Sequence, residues 1–227
     1  AASVGIECHY ASFPESITTE SLVAEIKKLN AVSRMCGLIV QLPLPPHIDK
    51  QTVLDAIDPT IDVDCLGGRT SEAFYSNGTM LGYPTALACL ALLDALSIDL
   101  STKQYAVLGQ GQLVGKPVTH LLHSRGYLVD AITTTTTDAK TKLKHADVIV
   151  SGIGEPHYIH GDMIKENAIV IDAGTASETA KGIVGDVDAG SVEGIASALS
   201  PVPGGVGPVT VAMLFRNVLI AAQHKIN

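Results

Sequence analysis

The sequence predicts an α/β protein built on a doubly wound parallel sheet. From residue 105 onward, short β-favouring runs alternate with short helical runs, which is the pattern of a parallel sheet covered by helices. The first of these runs enters a glycine-rich turn that leads into a helix, as expected where such a sheet binds a ligand. The 227 residues are 46% hydrophobic and 17% charged, so the composition is that of a globular protein.

Composition also excludes several partners. The formal net charge of −8 argues against nucleic acid and anionic membranes, since both select clustered Lys and Arg. No apolar run approaches the ~20 residues that a membrane helix needs. The four cysteines form no C-x-x-C pair and no Cys/His cluster with zinc spacing. We therefore expect no nucleic acid, no membrane and no metal, and reduced thiols in a cytoplasmic protein.

The first hundred residues carry local signals for a small α/β layer. Apolar residues at helical spacing predict a helix at 21–29, and prolines end the apolar run that follows. Asp49 is a predicted N-cap. In order, the predicted elements are a helix at 21–29, a buried strand at 37–40, a helix at 49–57, a loop at 61–70 and an apolar helix at 84–96.

The rest of the chain carries the predicted sheet. Strands are predicted at 105–108, 128–132, 148–150 and 168–172. Helices are predicted from the glycine-rich turn to about 124, at 138–145, and from 208 or 209 to 223. Five consecutive threonines, 133–137, are expected to finish the second strand and turn.

The turn after the first of these strands is the main ligand-binding signal. Gly109, Gly111 and Gly115 form a G-x-G-x-x-x-G pattern between a strand and a helix. Glycine lets the backbone turn sharply and approach a pyrophosphate, which the helix N-terminus then attracts. The context favours dinucleotide binding over a purely structural turn. No acid follows about 20 residues later; Thr133 and Thr134 stand at the end of the next strand instead.

Other polar residues stand at predicted strand ends or in loops. Asp62 and Asp64 would face the same way if their segment were extended. The pair is as consistent with a solvated turn or a loop clamp as with a catalytic site. Asp186 and Asp188 repeat that spacing and are expected to brace a loop. Gln41 follows the first buried strand, where an uncharged amide could orient a polar ligand.

A proline- and glycine-rich segment, PVPGGVGPVT at 201–210, precedes the last helix. Pro208 suits a first helical turn, and the glycines allow the backbone to pack against a flat ligand. A stiff turn that docks the last helix is the alternative, and both can hold.

Together these segments resemble the methylenetetrahydrofolate dehydrogenase/cyclohydrolase family. The matching stretches keep the family's order over nearly the whole chain, and VQLPLP and PGGVGP-x-T are the most specific of them. They are GLIVQLPLP (37–45), IDPTIDVDCL (57–66), VLGQGQLVGKPVTHLL (107–122), ADVIVSGIGEP (146–156), IVIDAGT (169–175), GDVD (185–188) and PVPGGVGPVTVAML (201–214).

The resemblance implies two domains and a folate reaction. A smaller α/β folate-binding domain would comprise 1–86, with the closing helix at 207–227 packing back on it, and a Rossmann-like NAD(P)-binding domain would comprise 87–206. Such enzymes oxidise 5,10-methylenetetrahydrofolate with NADP to the methenyl form, and most hydrolyse that product to 10-formyltetrahydrofolate. The resemblance also implies a homodimer.

Residue roles follow from the matching motifs. Gln41 and Asp64 are the implied catalytic residues: Gln41 matches the glutamine that hydrogen-bonds the catalytic lysine, and Asp64 the aspartate that holds the pterin. Both, with Pro203, Gly204 and Gly205, are predicted to bind substrate. The predicted cofactor-binding residues are Gly109, Gln110, Gly111, Val114, Gly115, Thr133, Thr134, Gly152 and Gly174.

Three departures from the family pattern shape the expectations. The family's catalytic lysine and a tyrosine lie on a helix just ahead of the match, so we expect an amino-terminal segment to be absent. Gln110 stands where an arginine binds the 2′-phosphate of NADP, which leaves NAD as an alternative cofactor. P-C-T-P-x-G is replaced at 83–88, where only Thr85 is kept. A catalytically impaired or NAD-preferring binding module is the alternative function, and another dehydrogenase with this sheet is a third hypothesis.

Overall fold

The computed structural model describes residues 1–178 and 182–226, which form two compact units. Unit 1 comprises Ala1–Gly82 and Leu214–Asn227, and unit 2 comprises Tyr83–Met213. The α/β class with a parallel sheet is as predicted. The predicted domain limits, 86/87 and 206/207, lie a few residues from the limits of the units.

Unit 1 is mainly helical. Its helices are α1 (Thr19–Asn30), α2 (Lys50–Asp55), α3 (Gly68–Tyr75) and the end of α8 (Val206–Ile226). The first two begin at side-chain caps: Thr18 Oγ1 accepts a hydrogen bond from Ser21 N, and Asp49 Oδ1 accepts one from Thr52 N at 3.0 Å. The predicted cap at Asp49 is therefore confirmed.

Two expectations for unit 1 were wrong. The predicted strand at 37–40 is only an isolated parallel bridge between Leu38 and Asp62. Pairing stops there because the partner segment turns at once, with Cys65 N donating to Asp62 O at 3.1 Å. The predicted loop at 61–70 contains the start of α3, which opens on two glycines. Carboxylates supply acceptors at that helix start: Asp62 Oδ2 for Gly67 N and Asp55 Oδ1 for Gly68 N, at 2.8 and 2.7 Å.

Unit 2 contains a five-stranded parallel sheet with the order β2-β1-β3-β4-β7. Its strands are β1 (Tyr105–Leu108), β2 (Val129–Ile132), β3 (Val148–Ser151), β4 (Ile169–Asp172) and β7 (Ala198–Leu199). The register pairs Leu108 with both Ile132 and Ser151, and Ser151 with Asp172, so these strands end at one edge of the sheet. β1, β3 and β4 are buried throughout, as is usual for the inner strands of a parallel sheet covered on both faces.

Helices and smaller elements cover this sheet. They are α4 (Pro84–Asp94), α5 (Gly115–Ser124), α6 (Ala139–His145), α7 (Ala189–Val192) and the β5–β6 hairpin (Ala176–Glu178 and Gly182–Val184). The hairpin, α7 and β7 were not predicted, since each is only two to four residues long.

The last helix differs from its prediction in two ways. α8 begins at Val206 rather than at 208 or 209, which places Pro208 within its first turn. Its Val206–Lys225 stretch is also long and apolar enough to cross a membrane by length and composition, so the expectation of no such run was wrong. Core helices of soluble proteins pass the same test. α8 buries Asn217, whose amide donates to Val63 O and Gly82 O at 2.8 and 2.7 Å.

Candidate active site

A groove of about 300 Å³ opens in unit 2 beyond the carboxyl ends of β1, β3 and β4. Three turns line it, one after each of these neighbouring strands: 111–114, 152–154 and 173–175. In the order β2-β1-β3-β4, the chain adds β2 on one side of β1 and then β3 and β4 on the other side. Ligands of doubly wound sheets bind at such a topological switch point. The groove therefore lies where the topology favours a bound ligand.

Close backbone approaches explain the glycines of the first turn. A Cβ on Gly115 would stand 1.7 Å from Gly109 O, so the turn closes on itself only because residue 115 has no side chain. Gly109 has a φ of +84°, a left-handed conformation that favours glycine. A Cβ on Gly152 would stand 2.7 Å from Val114 Cγ1, so the second turn packs directly on the first. Gly111 differs, because a Cβ there would meet nothing within 4 Å.

The structure brings some predicted cofactor residues to the groove and leaves others away from it. Gly111, Val114, Gly152 and Gly174 line it. Gly109, Gln110, Gly115, Thr133 and Thr134 are not among the lining residues. Sequence reasoning missed six lining residues, although each lies within two residues of a predicted glycine: Gln112, Leu113, Ile153, Gly154, Ala173 and Thr175.

Gln110 is turned toward the helix that follows the glycine-rich turn. Its Nε2 donates to Gly109 O at 3.1 Å and to Thr119 Oγ1 on α5 at 3.2 Å. The amide is half-buried and neutral, and it holds the start of the turn against α5. A neutral amide in this position supplies no charge for a phosphate.

The threonine tract turns immediately after β2, as predicted, but it does not finish the strand, because β2 already ends at Ile132. Thr136 N donates to Thr133 O at 3.0 Å, and Thr133 N donates to Thr136 Oγ1 at 3.0 Å. The side chains of Thr133 and Thr134 are exposed. Since Leu108 pairs with Ile132 in register, Gln110 and Thr134 each lie two residues beyond a paired strand end. Hydroxyl and amide groups therefore follow the ends of these two paired strands.

The acids Asp62 and Asp64 take different positions in unit 1. The segment turns instead of running extended, so the condition under which both carboxylates would face the same way is not met. Asp62 is buried, and its Oδ1 and Oδ2 accept from Leu66 N and Gly67 N at 3.3 and 2.8 Å. Asp62 is thus a loop clamp, one of the roles that its sequence left open.

Asp64 is half-buried in the same turn. Burial, followed by the nearby charge of Asp62, raises the pKa of Asp64 to about 6. Within the described part of the chain, no hydrogen bond to its carboxylate compensates for that burial. A half-buried carboxylate of this kind gains most from a cationic or N–H-rich ligand.

Gln41 and Asp64 come from two segments that run parallel. Leu38 N donates to Ile61 O at 2.9 Å, and Leu38 bridges Asp62, so Gln41 and Asp64 follow the same paired position. Both therefore lie beyond the carboxyl ends of the paired segments. The Gln41 amide is exposed, and its Nε2 donates to Leu42 O at 2.8 Å.

The turn before α8 carries the remaining predicted substrate residues, all within unit 2. Pro203 and Gly204 are exposed, whereas Gly205 is buried. Gly205 N donates to Pro201 O at 2.7 Å, and a Cβ on Gly205 would stand 2.5 Å from that oxygen. Gly204 has a φ of +105°. The glycines are required by this tight turn, which leaves Pro203 and Gly204 at the surface.

Among residues 1–178 and 182–226, no group of three or more His, Cys, Asp or Glu side chains is arranged to hold a metal ion. All four cysteines are free thiols.

Two family models match the chain. The tetrahydrofolate dehydrogenase/cyclohydrolase catalytic domain matches residues 1–64, and the NAD(P)-binding domain of the same family matches residues 83–226. Between them the models cover most of the chain.

Curated relatives agree with this match. The bifunctional protein FolD of Lacticaseibacillus paracasei is 36% identical over 227 residues, which is 100% of this chain and 80% of the relative. FolD of Acetivibrio thermocellus is 39% identical and covers 98% of this chain and 78% of the relative.

Solved structures give the same result. The Trypanosoma brucei N5,N10-methylenetetrahydrofolate dehydrogenase-cyclohydrolase (FolD), complexed with NADP cofactor and an inhibitor, is 34% identical with a TM-score of 0.93. The match covers 100% of this chain and 80% of that one. FolD from Campylobacter jejuni is 36% identical with a TM-score of 0.88, over 92% and 75% of the two chains. The chain therefore belongs to the tetrahydrofolate dehydrogenase/cyclohydrolase family.

Proposed function

We propose that this chain oxidises 5,10-methylenetetrahydrofolate to 5,10-methenyltetrahydrofolate with NADP and hydrolyses that product to 10-formyltetrahydrofolate, in one-carbon folate metabolism. The observation that carries the proposal is the glycine-lined groove at the ends of β1, β3 and β4, in a chain that matches both domains of this family. The relatives are described as bifunctional, and none of these comparisons favours the alternative of a binding module.

The groove fits a nicotinamide dinucleotide. Its walls are turns with little side-chain bulk, and Gly111 leaves open space where a Cβ would stand. Gly111, Val114, Gly152 and Gly174 would hold the cofactor, while Gln110, Thr133 and Thr134 would face its adenosine ribose. Gly109 and Gly115 act by closing the first turn. When bound, NADP accepts the hydride that leaves the folate.

The folate roles are assigned residue by residue, as the family motifs imply. Asp64 would pair with the N–H groups of the aminopterin ring, since a half-buried carboxylate with a raised pKa gains from that partner. Gln41 would orient a polar group of the reacting centre, and Pro203, Gly204 and Gly205 would contact the substrate. Pro203 and Gly204 are exposed for this contact, whereas Gly205 is buried and closes the turn that presents them. Residues 1–86 with 207–227 would form the folate-binding domain, and 87–206 the cofactor domain.

A groove-filling variant tests the proposal. In Gly111→Leu the new side chain extends into open space, so we expect the fold to be kept and NADP binding to be lost. Gly190→Leu is the matched control, because Gly190 is an exposed glycine on α7 that does not line the groove. The measurements are NADP affinity by calorimetry and NADPH formation that depends on 5,10-methylenetetrahydrofolate. Full NADP affinity in Gly111→Leu would place the cofactor elsewhere.

We also propose that the chain acts as a homodimer in the cytoplasm. Exposed apolar residues support an interface through unit 2: Leu128, which leads into the edge strand β2, is 79% exposed, and Ile98 is 48% exposed. Four free thiols fit a reducing compartment. Light scattering on the purified protein tests the dimer, and Leu128→Asp would be expected to yield monomers. A monomer for the unaltered chain would reject it.

A further inference from the structure

Two buried acids lie directly behind the walls of the groove. Asp172 ends β4, and Asp186 follows the β5–β6 hairpin; they are 3% and 0% exposed. Neither residue lines the groove itself. Burying two carboxylates is costly unless they are hydrogen-bonded, so their partners indicate what they do.

Asp186 holds the turn after β3. Its Oδ2 accepts two hydrogen bonds, from Ser151 Oγ at 2.7 Å and from Ile153 N at 2.9 Å. Ile153 is the middle residue of the groove wall at 152–154. One carboxylate oxygen therefore sets the path of that wall.

Asp172 holds the turn after β4 and joins it to Asp186. Its Oδ1 accepts from Gly174 N at 2.9 Å and from Asp186 N at 3.0 Å, and its Oδ2 accepts from Val187 N at 2.9 Å. Burial raises the pKa of Asp172, and these three N–H groups oppose the rise. Gly174 belongs to the groove wall at 173–175.

The two acids also require the glycines beside them. A Cβ on Gly174 would stand 2.2 Å from Asp186 Oδ1, and a Cβ on Gly185 would stand 2.0 Å from Asp172 Oδ2. Gly174 thus lies in contact with the Asp186 carboxylate, which hydrogen-bonds the wall after β3 through its other oxygen. Asp186 touches two walls of the groove at once.

We propose that Asp186 is a positioning residue for the nicotinamide dinucleotide: its carboxylate fixes the turn at 152–154 relative to the turn at 173–175, and so sets the width of the groove. The inference rests on the proposed placement of NADP in that groove. Asp186 touches no ligand in this role. If a wall moves, contacts to the ligand are lost, and a loss of about 1.4 kcal/mol in binding free energy weakens affinity tenfold.

The D-V-D motif supplies a matched control. Asp188 lies two residues after Asp186 but caps α7, accepting from Ser191 N at 3.3 Å, and pairs with His160 at 3.3 Å. Neither of these two partners belongs to a wall of the groove. Asp186→Ala and Asp188→Ala thus remove the same group from neighbouring positions, only one of which braces the groove.

The conservative variant separates positioning from charge. Both donors to Asp186 point at one oxygen, so the amide oxygen of Asp186→Asn can accept both bonds. Asp186→Ala leaves Ser151 Oγ and Ile153 N without their acceptor, and we expect it to weaken NADP binding about tenfold or more by calorimetry. Asp186→Asn should restore it to within about threefold, and Asp188→Ala should leave it unchanged.

Steady-state kinetics complete the test, with circular dichroism to verify folding. The expected signature of Asp186→Ala is a rise in KM for NADP that exceeds the change in kcat. Ser151→Ala, which removes one of the two bonds, should show a smaller rise in the same direction if Asp186→Ala does not fold. Unchanged NADP affinity in Asp186→Ala and Ser151→Ala would overturn the role of Asp186. An NADP affinity of Asp186→Asn as low as that of Asp186→Ala would also overturn it. Retained affinity in Gly111→Leu as well would show that the placement of NADP had failed.

Discussion

The carboxyl group of Asp64 should make the stability of this protein depend on pH in an unusual direction. Most acids stabilise a folded protein in their ionised form, but burial beside the charge of Asp62 favours the neutral form of Asp64 and raises its pKa to about 6. Asp64→Asn replaces the carboxyl with a neutral group of the same size. The variant should therefore be more stable than the unaltered protein wherever Asp64 is ionised.

The magnitude follows from the shift in pKa. The pKa rises from 3.8 to about 6, and each unit corresponds to about 1.4 kcal/mol, so the effect is about 3 kcal/mol. The folded state binds this proton more tightly than the unfolded state. The stabilisation is therefore complete below about pH 3.8 and is lost as the pH rises through about 6. Asp64→Asn should match the unaltered protein at about pH 3.5 and exceed it by about 3 kcal/mol at about pH 8.

The assay is denaturant unfolding of both proteins over that pH range, with the carboxyl-carbon NMR titration of Asp64 as a direct check. Asp62→Asn is the control, because Asp62 accepts bonds from Leu66 N and Gly67 N and its loss should destabilise the fold by about 1–2 kcal/mol. The two neighbouring substitutions should thus act with opposite signs near neutral pH. A difference between the unaltered protein and Asp64→Asn that stays constant with pH would refute the reasoning.

Three further predictions test other contacts. Gln110→Arg should raise the affinity for NADP relative to NAD by about tenfold, since a guanidinium can pair with the 2′-phosphate. If titrations give the same ratio of NADP to NAD affinity in both proteins, other residues bind the phosphate. Asn217→Ala leaves two backbone carbonyls without their donor and should lower the free energy of unfolding by about 2–3 kcal/mol; a loss below about 0.5 kcal/mol by denaturant titration would contradict this. Gly115→Ala places a Cβ 1.7 Å from Gly109 O and should lower the melting temperature, whereas Gly111→Ala, with open space around it, should not; equal melting temperatures would argue against the tight turn.

The parallel sheet could be predicted because its signals are local. β1 is apolar throughout, β3 and β4 each begin with three apolar residues, and the glycine-rich turn and helix follow β1 directly. Strand order and register were outside the reach of such patterns, since they depend on which strands pair. That pairing brings the turns after β1, β3 and β4 together as one groove.

Unit 1 was predicted less well, because its elements depend on partners distant in sequence. α3 starts at two glycines, which favour a loop by propensity. Its first N–H groups are satisfied by Asp55 and Asp62, carboxylates from other segments. The apolar run at 37–40 resembled a strand, yet it makes a single bridge because its partner segment turns away.

The sequence by itself determined the α/β class, the helix cap at Asp49, the glycine turn and the family, because these depend on neighbouring residues or on whole motifs. Only the tertiary structure decided the roles of the four acids in the two D-V-D motifs. Asp62 and Asp186 became buried acceptors for backbone N–H groups, Asp188 capped a helix, and Asp64 was left half-buried without such partners. The reason is physical: the spacing of the motif is identical, but the free energy of a carboxylate depends on its burial and on the donors that the fold places around it.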